Sequence, residues 1–291
     1  MGKRVKSNIA IICAACLVCG ALCGFSVPQA SDGGRGADAD GYPCVDVYVD
    51  GILTTSGYLT EGAVIYMPVS GFCAALEIPY IDDDAPGDGE YRASMGDVVF
   101  NVADGAEYMT ANGRYFYLPY GVQIIGGEYC LPAAEIAALV CAEVQWDAAT
   151  GSIDIDTTHT GALAGGDEFY DETDLMWLAR IIIAESGNQS MEGMMGVGNV
   201  VLNRVADPSC PDTVYEVIFD TRYGVQFSPV ETGSIYLEPN EQTVIAAKLC
   251  LEGYNVAGSS LYFVNPATGS TLWFRETRVF VVSIGDHDFY A

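Results

Sequence analysis

The spacing of apolar residues changes along this chain, and each change marks a different kind of element. Residues 9–25 carry no charge and follow the basic Lys3, Arg4 and Lys6. From residue 45 the apolar positions alternate. Val45, Val47 and Val49 are separated by Asp46 and Tyr48, and Ile52 resumes after Asp50-Gly51, which predicts two strands joined by a tight hairpin turn. Beyond residue 171 the period lengthens to that of a helix. Leu175, Leu178, Ile182 and Ile183 share one face, with Thr173 or Asp174 as N-cap, up to a Ser-Gly-Asn break at Ser186, Gly187 and Asn188. A second helix restarts near Ser190 and places Val197, Val200, Val201 and Val205 on its buried side, while Gly193, Gly196 and Gly198 admit a close neighbour. Near the chain end Phe280-Val281-Val282-Ser283-Ile284 reads as a strand, which ties down a terminus that otherwise frays.

Between these regions lies an internal repeat at an offset of 64 residues. Tyr66-Met67-Pro68-Val69-Ser70-Gly71-Phe72-Cys73 is echoed by Cys130-Leu131-Pro132-Ala133-Ala134-Glu135-Ile136-Ala137. Each copy reads as strand, proline in a helix's first turn, then a short amphipathic helix. Val144-Gln145-Trp146-Asp147 and a closing strand at Ser152-Ile153-Asp154-Ile155 follow the second copy. The patterns together predict an α+β chain. Residues 1–30 form a signal peptide and 31–41 a Gly-, Ala- and Asp-rich spacer. Residues 42–156 form a small mixed repeat domain of strands plus two short helices, 157–170 a linker, and 171–291 a mainly helical domain. The apolar leader, about seventeen residues long, falls short of the ~20 of a comfortable membrane span. A cleaved secretory signal with Pro28-Gln29-Ala30 at its end is the first reading and an uncleaved anchor the second, and both place the chain outside the cytoplasm. The repeat domain resembles the copper amine oxidase N-terminal-like domain, without residues for a copper site. That resemblance implies a binding or spacing module.

Composition narrows the chemistry. Twelve basic against 39 acidic residues give a net charge of −27, which repels nucleic acid, since phosphate contacts require clustered Lys and Arg. Cys13, Cys16, Cys19 and Cys23 fall in the leader. Cys44, Cys73, Cys130, Cys141, Cys210 and Cys250 remain, an even number that permits disulfides in fifteen pairings. Cys73 and Cys141 lie in apolar helical runs, where a buried free thiol is the default. With only His159 and His287 in the chain, no Cys and His spacing suits zinc, and no metal or other cofactor is expected. The acidic turn from Asp82 to Glu90 has Ala93 where a calcium loop requires a bidentate glutamate, so a solvated turn is expected there.

Glu185 is the candidate acid. A carboxyl placed where an apolar helix meets a loop titrates high, because desolvation disfavours its charged form, and a general acid requires this. The same position also suits a polar residue that simply closes a helix. The surrounding A-E-S-G-N…E-G-M-M-G-V-G-N-V-V-L-N-R stretch resembles the signature of SleB-type, spore-cortex-lytic cell-wall hydrolases. Three further blocks agree in order: Gln226-Phe227-Ser228-Pro229-Val230, Tyr262-Phe263-Val264-Asn265-Pro266-Ala267, and Ile284-Gly285-Asp286-His287-Asp288-Phe289-Tyr290. The resemblance covers about residues 174–291. It implies a lysozyme-like domain that cleaves peptidoglycan glycan strands as a lytic transglycosylase, with Glu185 at the position of the single acid and base.

Gln226 and Asn265 suit hydrogen bonds to acetamido groups, Asn203 is a further substrate-binding candidate, Phe227 and Tyr262 suit stacking on a sugar ring, and His287 suits orienting Glu185 or a loop carbonyl. Each has a structural alternative: core packing for Phe227 and Tyr262, a turn at Asn265-Pro266, and a helix C-cap at Asn203 and Arg204. Asp220, Glu231, Asp286 and Asp288 are the candidates for a second carboxylate, but each reads more readily as a solvated loop acid. Ser186 stands where relatives often carry alanine, and its hydroxyl can reach Glu185. The expected partner is peptidoglycan, in the cell wall or spore cortex, with no nucleic acid and no stable membrane insertion. A zinc- or cysteine-dependent wall amidase and a silent wall-binding protein are the alternatives.

Overall fold

A computed structural model describes residues 41–60, 64–82, 90–103, 105–147, 149–267 and 272–291. The leader, residues 31–40 of the spacer and residues 83–89 of the acidic turn lie outside the described residues. The chain divides into two compact units, Met1–Gly166 and Asp167–Ala291.

The first unit runs β1 (Cys44–Val49), β2 (Ile52–Leu59), β3 (Ile65–Pro68), α1 (Val69–Ala75), β4 (Tyr80–Asp82), β5 (Glu90–Met95) and β6 (Val98–Ala103). It continues with β7 (Tyr108–Ala111), β8 (Arg114–Tyr117), β9 (Gln123–Ile125), β10 (Glu128–Pro132), α2 (Ala133–Ala138), β11 (Glu143–Asp147) and β12 (Ser152–Asp156). β1 and β2 form the hairpin that the alternation predicts, with Asp50 and Gly51 at φ of 50° and 76°, the left-handed geometry of a primed turn. Val45 and Val47 face the core, while Ile52 beyond the turn is 70% exposed.

The two copies of the repeat become β3 with α1 and β10 with α2, and they pair with each other. β3 and β10 run antiparallel with Met67 opposite Leu131, the equivalent position of the other copy, so a local two-fold axis passes through this pair. Pro68 and Pro132 end the strands and sit at the N-caps of α1 and α2, each with φ −57°. A fixed φ suits this point, and the missing N–H would have no helical partner there. The seven-stranded sheet has the order β11-β12-β1-β2-β3-β10-β9, with β12 parallel to β1. A five-stranded antiparallel meander, β4 to β8, fills the sequence between the two copies and was not evident from the repeat alone.

The described cysteines are all free thiols; Cys73, Cys130 and Cys250 are buried. Cys141 departs from expectation, because α2 stops at Ala138 and Cys141 sits in a left-handed turn with φ 57°. Residues 157–166 do not run free. The Thr157 amide and hydroxyl donate to the Asp50 carboxylate at 2.9 and 2.7 Å, and Leu163 is buried.

The second unit contains α3 (Glu172–Ser186), α4 (Met191–Ala206), α5 (Val214–Ile218), α6 (Ser228–Thr232), α7 (Glu241–Leu251) and α8 (Leu272–Thr277). A small antiparallel sheet of β13 (Tyr262–Val264), β15 (His287–Tyr290) and β14 (Phe280–Ile284), in that order, accompanies the helices. The N-cap of α3 is Asp171, not Thr173 or Asp174, because its carboxylate reaches the amides of both those residues at 2.9 and 3.0 Å. Ser190 caps α4. α3, α4 and α7 pack on one another. Leu178, Ile181, Ile182, Val197, Val200 and Val201 are fully buried, whereas Leu175, Ile183 and Val205 are only partly so.

The glycines of α4 set two close approaches. A Cβ at Gly196 would lie 2.6 Å from the Phe289 ring, and one at Gly198 would lie 2.8 Å from the Cys250 sulfur. Among the described residues no helix is long and apolar enough to cross a membrane.

Candidate active site

Glu185 occupies the last turn of α3. Its carboxyl is partly buried, and no described residue hydrogen-bonds to it. Desolvation alone pushes its acid up from 4.5 to about 7. Ser186 leaves Glu185 alone. Its buried hydroxyl donates back to the carbonyl of Ile182 at 3.1 Å, one turn earlier.

Glu185 opens into a cleft of about 620 Å³. Gln226, Phe227, Tyr262, Asn265 and His287 line the same cleft, so residues from α3, the segment before α6, β13 and β15 meet there. Asn203 is not among the lining residues. Its amide nitrogen donates to the carbonyls of Gly258 and Ser260 at 2.8 and 2.9 Å, and its oxygen accepts from Asn255 at 3.0 Å. One turn earlier on α4, Asn199 holds the same loop, donating to the Tyr254 carbonyl and accepting from the Val256 amide, both at 2.8 Å. Arg204 adds a third tie from its Nε to the Leu261 carbonyl at 2.7 Å. The N-V-V-L-N-R run therefore staples residues 254–261 to α4, and this loop delivers β13 to the cleft wall. The Asn pair at i and i+4 was the available sequence signal.

Of the two aromatic residues, Phe227 differs from the stacking expectation. Phe227 is only 2% exposed, with the Arg204 guanidinium 5.0 Å from its ring centre, and so packs as core. Tyr262 lies beneath two guanidiniums, Arg204 at 5.3 Å and Arg278 at 4.5 Å. Phe263 and Phe274, not singled out from the sequence, also line the cleft. The Asn265 side chain closes a turn, its oxygen accepting from the Ala267 amide at 2.9 Å. Gln226 donates to the Gly224 carbonyl at 2.9 Å, which leaves its oxygen for other donors. Of the acids read as solvated, Glu231 lines the cleft with Glu185. Asp220 instead pairs with Arg222 at 2.9 Å. Among the described residues no three His, Cys, Asp or Glu side chains gather where they could hold a metal ion.

Comparison with known proteins converges on this unit. Residues 188–290 match the family described as Cell Wall Hydrolase, a stretch that begins just after Glu185. The chain is similar to the spore cortex-lytic enzyme of Bacillus cereus, 37% identical over 41% of this chain and 45% of that protein. It is also similar to those of Oceanobacillus iheyensis, 35% identical over 41% and 42%, and of Bacillus subtilis, 31% identical over 41% and 38%. The chain thus spans less than half the length of these relatives. Among solved structures it is similar to the catalytic domain of the germination-specific lytic transglycosylase SleB from Bacillus anthracis, 36% identical over 42% of this chain and 97% of that one, with a TM-score of 0.38. The catalytic domain of Bacillus cereus SleB gives 36% identity over 42% and 92%, also with a TM-score of 0.38.

Proposed function

We propose that this chain is an exported enzyme that degrades peptidoglycan, cleaving glycan strands between muramic acid and glucosamine residues as a lytic transglycosylase. The observation that carries this reading is Glu185, a desolvated acid without a hydrogen-bond partner among the described residues, on the wall of an open cleft. Held near 7, a large fraction of it stays protonated at neutral pH, and that form can donate to the glycosidic oxygen as the C1–O bond breaks. The leaving sugar departs with that proton. The substrate's own acetamido oxygen stabilises the cationic C1. The Glu185 carboxylate then takes the proton of the C6 hydroxyl as O6 closes on C1, which restores the acid and yields a 1,6-anhydro sugar without water. Gln226 and Asn265 are proposed to hold acetamido groups. The first unit is proposed as a wall-binding or spacing module.

Digestion of cortex and vegetative peptidoglycan by wild type and Glu185→Gln, read by mass spectrometry, tests the reading. Anhydro-muramic products from wild type alone are expected; equal activity in the variant would remove Glu185 from the chemistry.

Glu231 supports a second reading. A second carboxylate in the cleft suits a two-carboxylate hydrolase, which adds water. In that case the products carry reducing ends and Glu231→Gln abolishes them, whereas the one-acid mechanism survives this substitution. A wall amidase that depends on zinc would be stopped by chelator, and glycan cleavage by Glu185 would not.

A further inference from the structure

Behind the cleft residue His287 lies a second device, built on Gln189 in the break between α3 and α4. Its amide nitrogen lies 3.0 Å from Nδ1 of His287, and its amide oxygen accepts the backbone N–H of Asp286 at 3.1 Å. A backbone N–H can only donate, so the Gln189 atom facing it must be the oxygen, and the atom facing His287 is the NH2 group. Nδ1 must then accept, and the imidazole proton sits on Nε2.

The Asp286 amide fixes which way the Gln189 amide faces, and the side chain is closely packed. A Cβ at Gly193 would lie 2.7 Å from the Gln189 oxygen, and one at Gly285 would come closer still, so the side chain fills a slot that exists only because both neighbours are glycine. The edge-on ring of Phe263, its centre 5.0 Å from that of His287, holds the imidazole from another side.

Nε2 has no partner among the described residues, yet it is not sealed in. The described side-chain atoms that are buried without a partner are Nε of Arg180 and Nε of Arg278. His287 lines the cleft, and Nε2 is the ring nitrogen that the Gln189 contact leaves unused.

We propose that Gln189 is a positioning residue that locks His287 as its Nε2–H tautomer, giving the cleft a fixed hydrogen-bond donor for a neutral oxygen such as an acetamido carbonyl. His287 is then not a proton acceptor, and Glu185 carries both proton transfers. The choice of ligand rests on the glycan reading; the tautomer does not. Burial moves the imidazole below its usual pKa, against the pull of Asp286, and so favours the neutral ring that the geometry requires. Glu185, Glu231 and Arg204 are the other charged groups lining the cleft.

The chain has two histidines, so the full-length protein labelled with 15N-histidine gives a readable long-range 1H–15N spectrum. His287 is expected as Nε2–H. Gln189→Glu keeps the bond to the Asp286 amide but sets a carboxylate against Nδ1. It should move the proton to Nδ1 or charge the ring, raising its pKa by about one unit or more, and lower kcat/KM on glycan about tenfold. An amide spectrum unchanged elsewhere establishes that the variant is folded. A wild-type proton on Nδ1, or a variant spectrum identical to wild type, overturns the lock. A moved proton with unchanged cleavage overturns the donor role. Wild-type protein that cleaves no glycan overturns the functional reading, while the spectrum still decides the tautomer.

Discussion

At the scale of single residues, the chemistry of this site follows from what is withheld from Glu185. Neither Ser186 nor any described neighbour donates a hydrogen bond to its carboxyl, so burial acts unopposed and lifts the acid from 4.5 to about 7. A carboxyl whose folded pKa exceeds its unfolded value is held protonated by the fold. Its contribution to stability is complete below about pH 4.5 and is lost as pH rises through about 7. Glu185→Gln removes that loss. In urea denaturation the variant should be about 1–2 kcal/mol more stable than wild type at pH 8, after allowance for partial solvation, and indistinguishable from it at pH 4. Equal stability at pH 8 would mean that the carboxyl is well solvated. The same protonation governs catalysis. Wild-type kcat/KM on peptidoglycan should fall as pH rises through about 7, because the first step consumes the protonated acid. A profile still rising at pH 9 would contradict the assignment of Glu185 as general acid.

At the scale of elements, α4 organises the unit through both its polar and its empty positions. Asn199 and Asn203, one turn apart, hold the loop that precedes β13, and each makes buried or partly buried bonds to backbone groups. Removing Asn203 takes the side-chain donor from the Ser260 carbonyl, whereas the Gly258 carbonyl keeps Asn255 at 3.0 Å. Asn203→Ala should therefore cost about 1–3 kcal/mol in denaturant unfolding and raise KM by loosening the cleft wall carried on β13. The glycines make a sharper comparison. A methyl at Gly196 meets the rigid, fully buried ring of Phe289, whereas one at Gly198 meets the sulfur of Cys250 and the terminal carbon of Ile182. Side-chain ends can move more cheaply than a ring held inside a sheet. Gly196→Ala should cost about 1–3 kcal/mol, and Gly198→Ala less, in parallel melts. The reverse order would show that Phe289 is free to shift.

At the scale of the whole molecule, the net charge of −27 dominates long-range behaviour. An acidic chain is repelled by anionic wall polymers, and salt shortens the reach of that repulsion to ~10 Å at 0.1 M. Raising salt from low to physiological strength should speed cleavage of intact sacculi about two- to fivefold. Rates on neutral soluble glycan fragments should stay level, and an equal response on both substrates would remove charge as the cause.

By itself the sequence determined whatever is written within one segment. The Asp50-Gly51 hairpin, the paired proline-led helices, the restart of a helix near Ser190 and the acid at the end of α3 all follow from periodicity and local sterics. Resemblance across separated blocks gathered Gln226, Phe227, Tyr262, Asn265 and His287 as site candidates, and these line one cleft. Tertiary structure decided what each side chain is free to do. It buried Phe227, covered Tyr262 with two arginines and committed Asn203 to a loop. It brought Glu231 to the cleft and placed Gln189 against a histidine 98 residues away. Availability depends on which group faces a side chain across space, and that partner is set by packing between distant segments, which no local spacing of apolar residues encodes.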